Sequence, residues 1–338
     1  MRYGLNFQSQ PVETDLESEI FGHDDRRLVT NTLQIPFRFV CCLAWEVVNP
    51  SNGNRFALRG SGTLIGERHV LTCAHNVLSD YSNRSAMDSF PIRYVRSTNM
   101  LVAPARNDRD LPGNVSAVRT ARVAPRWQAA ANKQAANGNT QRVFGPVQAD
   151  FALLTLDTPL GSRFPVAPVT MQLPAPPLGW WGHPRFGGNT RIRAYDAALL
   201  QRLRNQNITV NLSGYPIDKC RDRPAFRAAT PAELAACTGH IPGMPEWRDQ
   251  GSTQWFSTGR LIEPAQPPGL MTFDADSAQG HSGGPVWLNW QGYRNLVAVN
   301  TGGRPRPTPP FDIIANQGVR ITAPLLQQLR AWMRVDRV

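Results

Sequence analysis

The residues of this chain best suited to chemistry lie in Gly280-His281-Ser282-Gly283-Gly284-Pro285, with Asp276-Ser277 just upstream. A serine among glycines lets the backbone approach a bound carbonyl closely, and the N–H groups of Gly280 and Ser282 are spaced to form an oxyanion hole. That pattern reads as a nucleophile, although a plain glycine-rich turn has the same composition. A serine hydroxyl is a poor nucleophile near neutral pH, so the reading requires a histidine base and a carboxylate to orient it.

Among six histidines, His75 has the most specific context, Leu71-Thr72-Cys73-Ala74-His75-Asn76-Val77, directly after a predicted strand. Asp150 immediately precedes the apolar run Phe151-Ala152-Leu153-Leu154-Thr155-Leu156. A carboxylate at the mouth of a buried strand is costly unless paired, and the His75 N–H is the natural partner. The competing reading of His75 is a hydrogen-bonded structural histidine, which its context disfavours; Asp150 taken alone reads as a surface residue at a strand start, and only the His75 and Ser282 motifs turn that reading. His281, adjacent to Ser282 in a tight turn, is read as structural.

Short β-rich runs between turn signals must position these groups. Phe37–Leu43, Gly62–Ile65, His69–Thr72, Phe151–Leu156, Ile208–Leu212 and Leu296–Val299 all read as strands, an all-β pattern of sandwich or barrel type. A proline-rich stretch from Pro159 to Pro184 divides them into two sets, which fits two barrels with a cleft between them. Helical signals are few. Residues 194–204 carry Leu199, Leu200 and Leu203, and Thr230-Pro231-Ala232-Glu233 reads as a cap for a short helix ending near Cys237. Leu325, Leu326, Leu329, Trp332 and Met333 recur at helical spacing and predict an amphipathic C-terminal helix packed on a barrel.

The composition agrees with a globular protein: 338 residues, 41% hydrophobic, long enough for one or two domains. No apolar run approaches the roughly 18 residues of a membrane span, and residues 1–15 lack the apolar stretch of a secretory signal. A net charge of +11 would attract acidic surfaces or polyanions. The arginines are scattered, however, with no zinc-finger spacing or basic heptad segment, so nucleic acid is not the expected partner. The five cysteines form no metal pattern. Adjacent Cys41 and Cys42 would point to opposite faces of a strand, and with Cys73 they are read as buried thiols. Cys220 and Cys237 are the pair expected to form a disulfide.

The order His75, Asp150, Ser282 in these contexts resembles chymotrypsin-fold serine peptidases, and more narrowly the bacterial glutamyl endopeptidase (V8-like) branch. The matching segments are Gly22-His23-Asp24-Asp25-Arg26, Val29-Thr30-Asn31-Thr32, Gly60-Ser61-Gly62-Thr63, Gly214-Tyr215-Pro216-Ile217-Asp218-Lys219, Gln254-Trp255 and Gln317-Gly318-Val319-Arg320-Ile321-Thr322. The resemblance implies two six-stranded antiparallel Greek-key β-barrels, His75 and Asp150 from the first and Ser282 from the second. On this basis residues 1–19 form a propeptide-like arm, 20–165 the N-terminal barrel, 166–206 a linker and insertion, and 207–338 the C-terminal barrel with its helix. Cleavage near Glu19 would place a new N-terminus at Ile20. The resemblance also implies a secreted monomer acting on proteins or peptides, with no metal and no organic cofactor.

Asp276, Ser277, Asn300, Thr301, Gly302 and Gly303 are the expected substrate-pocket residues. Asp276 stands where trypsin-like enzymes select Arg or Lys, yet several glutamyl endopeptidases also carry aspartate there. The glutamyl branch usually has a histidine where this chain has Asn300, with Arg304 or Arg306 as substitutes. The P1 preference therefore stays open between glutamate, a basic residue and a broad set. The insertions at 174–206 and 220–250, with Trp180, Trp181 and Trp247, are either extra walls for a long substrate or decoration. A catalytically silent barrel pair used for binding is the alternative to an enzyme, and polyanion binding by the basic surface is compatible with either.

Overall fold

The first half of the chain holds β1 (Arg27–Leu28), β2 (Val40–Val48), β3 (Arg55–Leu64), β4 (His69–Thr72), β5 (Leu78–Asp80), β6 (Tyr94–Arg96), β7 (Thr98–Pro104), β8 (Ser116–Val123), α1 (Pro125–Ala136) and β9 (Ala152–Leu156). The second half holds β10 (Thr190–Ile192), α2 (Ala197–Asn205), β11 (Thr209–Gly214), β12 (Trp255–Arg260), β13 (Leu270–Phe273), β14 (Pro285–Trp290), β15 (Tyr293–Pro305), β16 (Ile313–Arg320) and α3 (Ala323–Val335). The structure, a computed structural model, describes residues 19–80, 93–108, 110–140, 143–163, 176–219, 251–262, 269–305 and 313–336.

Strands β2, β3, β4, β9, β8 and β7 pair in that order into a closed antiparallel barrel. The period of two along β2 shows why it closes. Cys41, Leu43, Trp45 and Val47 enter the core, while Cys42, Ala44 and Glu46 face the other way. Strand β4 is buried along its whole length between β3 and β9, so its end, where His75 follows, is held rigidly.

In the second half the order is β1-β12-β11-β14-β15-β16-β13, with β10 added in parallel to β15. The six long strands of this sheet meet at its ends through a bridge between Leu261 and Phe273 and the Ile262 N–H donating to the Thr272 carbonyl at 2.9 Å. The all-β class and the C-terminal helix agree with the expectation from sequence. The second sheet is closed by a short seam rather than a full ladder, and it gains two edge strands.

The first and last described segments each pack on the other half. The first described segment, residues 19–28, lies on the second sheet, where Arg27 and Leu28 pair with Phe256 and Trp255. Helix α3 lies on the first barrel, where Leu325 and Leu329 join the core, Trp332 packs on Phe151 at 5.9 Å between ring centroids, and Asp336 pairs with Arg122 at 2.7 Å. Thr322 caps this helix through the Leu325 N–H, and Asp196 caps α2 through the Leu199 N–H.

Helix α1 is absent from the sequence reading because its stripe is mostly alanine. Pro125 in the first turn and the run of good helix formers were the available signal. Its buried Trp127 donates to the Leu78 carbonyl at 2.8 Å. Trp181, placed by sequence in a candidate substrate wall, is core instead. It is 1% exposed, its indole donates to Thr63 Oγ1 at 2.7 Å, and its ring meets Phe39 and Trp287. Trp180 packs edge-on against His183 at 4.2 Å. Cys41, Cys42 and Cys73 are buried free thiols. The Cys220 and Cys237 pair, the capped helix at Thr230, Trp247, Arg306 and the arm before Glu19 lie outside the described residues. No helix among the described residues is long and apolar enough to cross a membrane.

Candidate active site

The turn after β4 brings His75 onto Asp150, which stands at the entrance to β9 because β4 and β9 pair side by side. The His75 backbone N–H donates to Asp150 Oδ1 at 2.9 Å, and Nδ1 lies 2.6 Å from Oδ2. A carboxylate on Nδ1 fixes the ring's orientation and leaves Nε2 as the nitrogen able to accept a proton. Asp150 is 4% exposed while His75 stays half-buried, so the carboxylate is shielded and the imidazole is reachable.

The loop before β14 carries Ser282 to the same segment. Its carbonyl accepts from the Ser61 N–H at 2.8 Å and from Asn76 Nδ2 at 3.0 Å, so the Ser282 backbone is tied to the residue next to His75. Ser282 is partly exposed within a run of otherwise buried residues, Gly280 to Pro285. Two glycines make this possible. Gly280 has φ +96° and Gly283 φ +88°, and a Cβ on them would lie 2.4 Å from the Tyr215 oxygen and 2.1 Å from the Ser61 oxygen respectively. The Gly280 and Ser282 amides make no hydrogen bond among the described residues, which leaves both donors available.

Ser61 and Asn76 are the positioning residues that sequence reasoning missed. Ser61 Oγ donates to the Gly280 carbonyl at 2.7 Å and accepts from the Tyr215 N–H at 2.8 Å, which holds the Gly280–Ser282 loop against the first barrel. Its flanking glycines, Gly60 and Gly62, were the sequence signal for such a close approach.

His281 is structural, as expected. It is fully buried, its Nδ1 accepts from the Ala278 N–H at 3.1 Å, and burial, followed by the nearby Arg26 charge, pushes its pKa well below the ordinary value. Arg26 itself is buried with Asp24 and Asp218, and Lys219 joins Asp24 at 2.8 Å. Burial opposes the Arg26 charge, but the Asp218 and Asp24 carboxylates outweigh it and raise its pKa.

The pocket candidates separate into two groups. Asn300 and Ser277 are fully buried and are bonded to each other beside the Ser282 loop. Asn300 accepts from the Gly283 N–H at 2.8 Å through its carbonyl and donates from Nδ2 to Ser277 Oγ at 3.1 Å. Thr301 donates to the Gln317 carbonyl, and Gly302 and Gly303 pair with Gln317 and Asn316 across β15 and β16. Asp276 is placed differently. It is 4% exposed, and its two oxygens accept from the Phe21 N–H at 2.9 Å and the Asp25 N–H at 3.0 Å. Its carboxylate therefore anchors the segment from Phe21 to Asp25. The neighbouring Glu19 is held by Asn316, which both donates to and accepts from its backbone, and by the Ser277 N–H.

Cys73, His75 and Asp150 bring one ligand atom each within 4.8 Å of one another. The set fits a metal poorly, because Cys73 donates its thiol proton to the Asn300 carbonyl at 2.9 Å and burial, then the Asp150 charge, raise its pKa against the thiolate a metal needs.

No protein-family model matches the chain, and no curated protein is similar to it in sequence. Solved structures are similar in fold. A Glu endopeptidase solved in complex with MPD is 19% identical with a TM-score of 0.54, covering 93% of this chain and 98% of its own. The protease Anisep from Arthrobacter nicotinovorans is 14% identical with a TM-score of 0.48, covering 90% of this chain and 96% of its own. The thermostable serine protease AL20 from an extremophilic microorganism is 15% identical with a TM-score of 0.46, over 87% of this chain and 96% of its own. What the chain has in common with the Glu endopeptidase is its fold: a chymotrypsin-like pair of β-sheet halves with a C-terminal helix.

Proposed function

We propose that the protein is a serine endopeptidase working through His75, Asp150 and Ser282. The observation that carries this reading is the two-point contact of Asp150 with His75, on the segment whose Asn76 also holds the Ser282 carbonyl. In the proposed cycle His75 Nε2 takes the Ser282 hydroxyl proton as Oγ bonds to the substrate carbonyl carbon. The Gly280 and Ser282 amides hold the resulting oxyanion. The amine leaves with the proton from His75, and water, activated by the same base, releases the acyl group and restores Ser282. Asp150 keeps Nδ1 protonated throughout and offsets the imidazolium charge.

Asp276 offers no free carboxylate, so it lends no support to a basic P1 residue. Ser277, Asn300 and Thr301 of the proposed pocket are uncharged, so they suit an uncharged polar side chain and give glutamate no cationic partner of their own. An exported enzyme is the setting in which this activity and a Cys220–Cys237 bridge would fit.

A serine-directed phosphonate tests the core of the reading. The expected result is one adduct on Ser282, with loss of peptide hydrolysis, and no adduct on Ser282→Ala. Absence of an adduct on folded protein would favour a binding scaffold. Cleavage of a peptide library mainly after Arg or Lys would overturn the pocket assignment alone.

A further inference from the structure

The outward face of the first barrel, on the side of β2, β3 and β7, holds a cavity of about 230 Å³ roofed by the loop between β7 and β8. Two guanidinium groups line it. Arg59, on β3, makes one long hydrogen bond, from Nη1 to the Leu58 carbonyl at 3.4 Å, and its buried Nε has no partner. Arg106, on the roofing loop, donates from Nε to the Asp108 carbonyl at 2.9 Å and approaches Cys42 Sγ at 3.6 Å. Neither pairs with a carboxylate among the described residues. Glu46, the acid in the lining, is engaged by Arg55 at 3.0 Å and Asn99 at 2.8 Å. Burial foremost lowers the Arg59 pKa; the nearby Cys42 sulfur opposes that shift and the Arg106 charge adds to it. Two unneutralised cations facing a partly apolar cavity are unfavourable alone and are relieved by an anion.

The position of the cavity says which anion. Arg59 and Ser61 share a face of β3, one strand repeat or roughly 7 Å apart, and Ser61 Oγ holds the Gly280 carbonyl. A Cβ on Gly251 would lie 3.5 Å from Arg59 Cβ and 3.2 Å from Ile217 Cγ2, and one on Gly280 would lie 3.1 Å from the same Ile217 methyl. The cavity thus opens beside the oxyanion loop, on its first-barrel side. The Ser277 and Asn300 wall flanks Ser282 from the second sheet. On the peptidase reading, an acyl side chain on that side directs the peptide beyond the scissile bond to the opposite side of the oxyanion loop, past Gly251 and toward Arg59.

Resting on the peptidase reading above, we propose that Arg59 and Arg106 form a subsite for an acidic side chain two or three residues beyond the scissile bond on the leaving-group side. A planar guanidinium pair suits a carboxylate, with Leu111 and Val115, each 40% exposed at the rim, covering its methylene groups.

The test uses matched peptides of fixed acyl sequence carrying Glu or Gln, and Asp or Asn, at each of the first four positions after the bond. The kcat/KM ratio of acid to amide is taken within each protein, so that differences in folded fraction cancel. The wild type should prefer the acid about tenfold at the second or third position. That ratio should fall to near one in Arg59→Gln/Arg106→Gln and in Arg106→Gln alone, and should largely persist in Arg59→Lys/Arg106→Lys. Peptides cleaved without an acid preference, or a preference that survives in the double glutamine variant, would overturn the subsite and leave the peptidase reading intact. No hydrolysis of any peptide together with no phosphonate adduct on Ser282 would overturn both.

Discussion

Gly280 combines a backbone conformation closed to most residues with a carbonyl pinned by Ser61, so its N–H has one direction available. Gly280→Ala tests that arrangement at the scale of one methyl group. The added Cβ would meet the Tyr215 oxygen at 2.4 Å, and the loop has to shift. Misplacing one oxyanion donor is expected to lower kcat on the order of 10²–10³-fold, with a stability loss of about 1–3 kcal/mol from the strained φ. Steady-state kinetics and thermal unfolding of the same preparation separate the two effects. A variant that kept its kcat would remove Gly280 from the oxyanion site.

The segment from Glu19 to Leu28 is an element in its own right: a short edge strand with an extended lead, held to the second sheet by buried polar groups. Asp276→Ala removes the acceptor of two backbone N–H groups. The expected cost is about 1–3 kcal/mol, with faster amide exchange confined to residues 19–28 and an unchanged P1 preference. A changed preference would return Asp276 to the pocket. Burial foremost, helped by the Asp25 charge and opposed by the two N–H donors, pushes the Asp276 pKa up to about 6. Its folded pKa lies above the ordinary 3.8, so the protonated form favours folding. That contribution is complete below 3.8 and is lost as pH rises through 6. In Asp276→Asn this slope of stability between those values should disappear from denaturant titrations.

At the scale of the molecule, each half supplies something the other needs. The first barrel holds the Ser282 loop through Ser61 and Asn76, and the second half sends α3 back to close the first barrel. The clamp at the end of α3 is Asp336, which takes Arg122 Nε and Nη2 at 3.0 and 2.7 Å and Thr155 Oγ1 at 3.1 Å. The Arg122 hydrogen bond chiefly lowers the Asp336 pKa. A depressed carboxylate pKa adds stability above the ordinary value near 3.8, and loses it as pH falls through the folded pKa. The wild type should therefore exceed Asp336→Asn in stability at pH 7, and the gap should close as pH falls below about 4. A gap independent of pH would assign the effect to packing. Among the described residues the same sign holds for Asp24. Burial alone would raise its pKa, but Arg26 and Lys219 hold it well below the carboxylate range.

The sequence by itself determined the local features: a serine between glycines, a histidine at the end of an apolar strand, an aspartate before another, alternation in the strands and the stripe of α3. These follow from spacing along one segment, which sequence displays directly. Asp276 shows the limit, because its role depends on Phe21 and Asp25, some 250 residues away along the chain. Ser61, Trp181 and the Arg59 and Arg106 pair were equally out of reach. What decided each was a partner brought close by strand pairing and sheet closure, and that closeness is a property of the folded chain alone.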